Sequence, residues 1–172
     1  EYLDGTTASG LYEARLGYEE MGKENHIFSP AYKEEEMPEI LRMCDHIIFN
    51  SPAQFRRYKD QVREYAAETG CEKGMGLRIN PECSTQEGHA IYDPCAPYSR
   101  LGTTLERFEQ DLAEDEILDL DGLHFHTLCE QDADALETTL KVVEEKFGRW
   151  LSQMKWVNFG GGHHVTREGY DL

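Results

Sequence analysis

The residues best suited to chemistry stand at the ends of short apolar runs. Arg78 and Asn80 close GLRIN, His124 and His126 close GLHFH ahead of Thr127, and Asn158 lies in WVNF before Gly160, Gly161, Gly162, His163 and His164. In parallel α/β folds the loops converge above the carboxyl ends of the strands, so polar residues gathered there can share one pocket. Consecutive glycines directly after a strand let backbone N–H groups approach an anion with no Cβ in the way, and barrels often hold a phosphate in such loops. A tight strand exit would account for the same glycines, and a glycine run alone is a weak motif. Two histidines two apart on one strand point the same way. His124 and His126 could therefore open a metallohydrolase site in a barrel, or be packed and hydrogen-bonded rings; against the metal reading, the sequence offers no obvious set of further strand-end ligands beyond His163 and His164. Arg78, a charge ending an apolar strand, calls for a carboxylate or a bound anion. Arg100, in SRLG, has the setting of a loop cation.

Positioning these residues requires strands and crossover helices in alternation. His26–Ser29, His46–Asn50, Gly76–Asn80, Leu123–His126 and Trp156–Phe159 are compact, β-branched or aromatic, and closed by a polar residue or glycine, as buried parallel strands are. Helices are expected between them over Tyr12–Met21, Lys33–Met43, Ala53–Glu68, Leu105–Glu114 and Asp132–Gly148. In the last, Leu136, Leu140, Val143 and Phe147 recur at three- and four-residue steps and form one face that can cover a sheet. Pro52 suits the first turn of a helix and Gly148 a helix end. Such units build either an open doubly wound sheet or a closed barrel, and periodicity does not separate the two. Residues 81–99 form a long connection with three prolines and no period, and long ordered connections are usually functional.

The bulk properties narrow the partners. The chain has 172 residues, 39% of them hydrophobic, enough for one domain with a core. A formal charge of -17 repels nucleic acid and anionic membranes and permits a cationic ligand, although solvated acidic helix faces explain most of it. Five scattered cysteines without CxxC spacing suggest neither a disulfide framework nor a structural zinc site and fit a reducing cytoplasm. No apolar run reaches the length of a membrane helix, and the acidic start is unlike a signal peptide. A chain opening on Glu1 in mid-pattern is expected to begin inside a larger protein.

GLRINPE (76–82), IYDPCAPYSRLG (91–102), GLHFHTLCEQ (122–131) and NFGGGHH (158–164), together with the opening YLDGTTASGLYEARLGYEEMG, resemble the carboxynorspermidine (carboxyspermidine) decarboxylase family across nearly the whole chain and in the family's order. The resemblance implies an alanine-racemase-like or ornithine-decarboxylase-like fold: a parallel (β/α) barrel of the TIM type, followed by a β domain. Residues 1–172 would form a single incomplete barrel domain of five or six βα units, lacking the first strand or strands and the β domain. It implies pyridoxal 5'-phosphate as cofactor, with His126 stacked on its ring, Gly160, Gly161 and Gly162 around its phosphate, and Arg78 close by. His163 and His164 would lie beside the phosphate or substrate, while Glu130 and Asp93 are candidate contacts for substrate amines, with surface carboxylates as the simpler reading. The implied reaction is decarboxylation of a polycationic amino acid in polyamine synthesis, by a cytoplasmic homodimer. The family's Schiff-base lysine stands before the opening segment of this chain, and its ring-nitrogen acid and cross-dimer residues would lie beyond Leu172. Lys23, Lys33, Lys59, Lys73, Lys141, Lys146 and Lys155 fall in expected helices or loops, so this polypeptide alone is expected to be inactive.

Overall fold

The structure, a computed structural model, describes residues 3–86 and 90–171. Residues 87–89 of the long connection, and Tyr2 of the opening segment, lie outside the described part. Six strands form one parallel sheet: β1 (Gly5–Ala8), β2 (Glu24–Phe28), β3 (His46–Phe49), β4 (Gly74–Arg78), β5 (Gly122–His124) and β6 (Trp156–Asn158). Their order in space is β1-β2-β3-β4-β5-β6, the order in sequence. A doubly wound sheet needs a point where the strand order reverses. Here each crossover steps the same way, and right-handed crossovers that do so place every helix on one face. The sheet is therefore the wall of a half-barrel, with helices outside and the other face turned inward.

The helices are α1 (Leu11–Leu16), α2 (Met37–Met43), α3 (Pro52–Thr69), α4 (Leu105–Asp111), α5 (Glu114–Leu118) and α6 (Ala133–Leu151). In α3 the Ser51 hydroxyl accepts from the Gln54 N–H, Pro52 takes the first turn, and Gly70 ends the helix at φ +70°. The outward residues Ile27, Ile47, Phe49, Leu77 and Leu123 are buried against Ile40, Leu41, Phe55, Val62, Val143 and Phe147 of the helices. Phe108 of α4 sits 4.6 Å from Trp150 and 5.7 Å from Phe147, tying α4 to α6.

Several sequence expectations shift. The strand β1 went unread because GTTA offers no apolar run; only Ala8 of it is buried. The expected helix Tyr12–Met21 splits into α1 and a π-helical turn, Gly17–Met21, closed by Gly22 at φ +61°. The expected helix Leu105–Glu114 breaks at Leu112, whose buried side chain takes an extended backbone. A new helix then starts because the Glu116 carboxylate accepts from the Ala113 N–H at 3.1 Å. Arg56 grips the same carboxylate at 2.6 and 2.7 Å, and this pairing holds its pKa down at about 2. Gly148 lies inside α6, which runs on to Leu151.

Candidate functional site

The carboxyl ends of β4, β5 and β6 bring Arg78, His124 and Asn158 side by side, since Arg78 pairs with His124 and His124 with Asn158 in the register. Arg78 is 5% exposed. Its guanidinium lies 4.6 Å over the Phe28 ring and donates to the His126 carbonyl at 3.0 Å. Among the described residues no carboxylate comes within ion-pairing distance of it. Burial lowers its pKa to about 10, which leaves it charged at neutral pH. A buried cation without a carboxylate is costly unless an anion joins it.

His124 is buried beside that cation, with Nδ1 3.2 Å from the Asn158 carbonyl. Desolvation first, and the Arg78 charge second, push its pKa down to about 3, so it is a neutral ring. The strand β5 ends here rather than at His126. The histidine rings consequently do not stand in parallel as two positions of one strand would; they are perpendicular, at 86° with centroids 6.3 Å apart. His126 is half-buried, and burial, Arg78 and His163 all lower its pKa.

The glycine turn is laid against this histidine. Gly160, at φ +74°, donates its N–H to the Asn158 side chain at 2.8 Å. A Cβ there would come within 2.6 Å of the Phe125 carbonyl and 2.8 Å of His126. At Gly162, φ +88°, it would lie 2.1 Å from the Leu128 carbonyl, whereas at Gly161 it would meet only the edge of the His126 ring, at 3.7 Å. Two of the three glycines are thus required by backbone against backbone, and the middle one leaves room over the imidazole. The Gln131 N–H donates to the Gly162 carbonyl at 2.9 Å, and the His164 N–H to the Gln131 carbonyl at 3.1 Å, fixing the turn to the β5–α6 connection.

The remaining candidates divide. His163 Nδ1 is 3.4 Å from the Tyr170 hydroxyl, and His164 Nε2 is 3.9 Å from the Glu130 carboxylate. Glu130, at φ +53°, lines a cleft of about 1040 Å³ with Ser84, Gln86, Gln131, Asp132 and Asp134. Asp93 is not among that cleft's residues, and its carboxylate accepts from the Cys95 N–H two residues on. The Arg100 carbonyl accepts from the Asn50 side chain. The seven lysines reach elsewhere: Lys23 to the Leu3 carbonyl, Lys33 to Glu36, Lys59 to Glu116, Lys73 to the Cys44 carbonyl, Lys141 to Glu137, Lys146 to the Pro81 carbonyl and Lys155 to Asp121.

Sequence reasoning passed over three contributors. Phe28 forms the floor under Arg78, and strict alternation along HIF would have turned it inward with His26. Cys95 lies near Arg78, and burial raises its thiol pKa to about 11, so it is a neutral neighbour of that cation. Gln86 reaches the Thr127 carbonyl and the Gln131 side chain, clipping the long connection over the strand ends. No sequence pattern marks the last two. Among the described residues, the only three potential metal ligands that converge are Glu24, His26 and His46, at the other end of the strands, so the pairing of His124 with His126 gains no further ligand.

No family model matches the chain. It is 49% identical, over all 172 residues, to a carboxynorspermidine/carboxyspermidine decarboxylase of Campylobacter jejuni, of which it covers 42%. It is 41% identical over 170 residues to a carboxyaminopropylagmatine decarboxylase of Synechocystis, covering 99% of this chain and 41% of that one. The crystal structure of carboxynorspermidine decarboxylase from Campylobacter jejuni, complexed with norspermidine, superposes with a TM-score of 0.80 at 47% identity, over 99% of this chain and 40% of that one. A diaminopimelate decarboxylase at 16% identity, with a TM-score of 0.66, shares the fold. The chain spans about two-fifths of the length of these relatives, and along all of that span it is a homologue of the carboxynorspermidine/carboxyspermidine decarboxylases.

Proposed function

We propose that the protein carrying this chain is a pyridoxal-phosphate-dependent carboxy-lyase that acts on carboxynorspermidine or carboxyspermidine. The bond from the α-carbon to its carboxylate breaks, carbon dioxide leaves, a proton takes its place, and norspermidine or spermidine results. The observation that carries this reading is the glycine turn packed on His126 beside a buried arginine that meets no carboxylate among the described residues. These residues fit a phosphorylated, flat group: with the Gly160 N–H held by Asn158, Gly161 and Gly162 carry no side chain to keep an anion from their N–H groups, Arg78 supplies a desolvated positive charge, and the half-buried His126 ring has a glycine with no side chain beside it. When bound, the cofactor supplies the electron sink that accepts the charge left by carbon dioxide. The lowered pKa of His126 keeps its ring neutral at pH 7, suited to stacking rather than to holding a proton.

In the cleft lined by Glu130, Asp132, Asp134 and Arg167, Arg167 pairs with Asp132 and leaves Glu130 and Asp134 to face the amine tail of the substrate, and the chain's charge of -17 favours a polycation. The solved relative's complex with norspermidine supports this class of ligand. His163, His164 and Glu130 flank that tail, while Asp93, bonded within its own loop, is the weakest member of the set. In this reading the covalent lysine is none of the seven here, and the working protein is a cytoplasmic homodimer.

The test is carbon dioxide release from both carboxylated triamines by the full protein that carries these residues, with and without added pyridoxal phosphate. Release that depends on the cofactor is expected, with the 172-residue chain alone inactive. No release from either triamine, or release indifferent to the cofactor, overturns the proposal.

A further inference from the structure

At the opposite mouth of the half-barrel, three ligand-type side chains point at one place. Glu24 and His26 are two apart on β2 and share a face, and His46 on β3 is the register partner of His26. His26 Nε2 lies 2.6 Å, and His46 Nε2 3.2 Å, from the same oxygen of Glu24. One ligand atom from each residue falls within 4.8 Å of the others. The two imidazoles are 4.2 Å apart, and the Trp156 ring packs edge-on against both, at 5.6 and 5.2 Å. Gly74 makes room for the His46 ring, since a Cβ there would stand 2.2 Å from its Nδ1. The rings are therefore held by packing, not by the carboxylate alone.

We propose that Glu24, His26 and His46 form a binding site for a divalent first-row transition-metal cation. Two imidazoles and one carboxylate are the donors such ions take, whereas magnesium and calcium prefer all-oxygen sites. Metal–ligand bonds of about 2.0–2.1 Å put ligand atoms roughly 3.3 Å apart in a tetrahedral arrangement, so the two spacings to the Glu24 oxygen need to open by less than an ångström. Asp45 and Asp121, which anchor the Asn25 and Met75 N–H groups nearby, add negative potential at this mouth. Glu24 keeps 53% of its side chain exposed, which leaves a direction for water to complete the coordination. Gly74, in register with His46, is four residues before Arg78 on β4, or about 13 Å away, so the cation would brace β2 and β3 without touching the chemistry at the other end. The inference is independent of the proposed decarboxylation.

The experiment adds cobalt(II) to the metal-free full protein and follows visible ligand-field absorption, with zinc as competitor and circular dichroism as the check on folding. Expected is saturation near one equivalent per chain, displacement by zinc, and at least a tenfold weaker response in Glu24→Gln and in His46→Gln. Glu24 is half-exposed, so its variant should stay folded even if the His46 variant does not. A folded wild type that gives no ligand-field band, a spectrum dominated by thiolate charge transfer, or bands of undiminished affinity in folded Glu24→Gln each overturn the proposal.

Discussion

The two ends of the half-barrel interior use small residues for opposite purposes. At the amino ends of the strands, Gly76 and Gly122 let Trp156 lie flat across the sheet: a Cβ on either would come within 2.3 Å of its indole. At the carboxyl ends, Gly160 and Gly162 press against backbone, and what they leave is a concave surface beside a charged group. Space is filled by rings below and kept for a ligand above. The lesson is that a glycine's role is read from what its missing Cβ would strike: a ring that can be trimmed marks packing, and a carbonyl that cannot marks a fixed turn.

The comparison can be tested first through charge. The upper end already holds Arg78, so a second cation there is unfavourable. His124 has a folded pKa of about 3 against an ordinary 6.5, so it contributes stability above pH 6.5 that is lost as pH falls from 6.5 towards 3. We expect an acid-dependent loss on the order of 4 kcal/mol from this group. Denaturant titrations at stepped pH should show a much flatter profile for His124→Gln.

Next in size, Gly162→Ala puts a Cβ on the Leu128 carbonyl at φ +88°, and we expect a loss of about 3 kcal/mol with cofactor affinity reduced at least tenfold. Fluorescence titration with pyridoxal phosphate reads the second effect. Gly122→Ala should cost about 2 kcal/mol, and trimming Trp156 to Leu in the same chain should recover part of it. Failure of that rescue in thermal melts would erase the distinction between the two ends. The smallest effect is Arg78→Met. Removing a buried charge that has no carboxylate partner among the described residues should leave stability unchanged or raise it by about 1 kcal/mol, while cofactor binding weakens.

Much of this was legible in the chain. The strands β2 to β6 and most helices fall within a few residues of the apolar runs that announce them, because buried parallel strands leave continuous hydrophobic segments. The strand β1 is made of glycine, threonines and one alanine and carries no such signal. The break between α4 and α5 depends on Arg56 meeting Glu116 across 60 residues, which local periodicity cannot report. At the site, the glycine turn lies against His126, two segments that the sequence could mark only separately, and the perpendicular histidine rings follow from where β5 stops. The lower cluster was readable in principle, since HIF and HIIF both open on a histidine at the amino end of a strand.

The strand order carries a consequence for how the molecule is made. Every strand lies next to the one synthesised just before it, so each new unit can dock as soon as its crossover helix is available. Assembly of this wall can therefore proceed vectorially, with Arg78 waiting for its neighbours on β5 and β6 at one end just as Gly76 and Gly122 wait for Trp156 at the other.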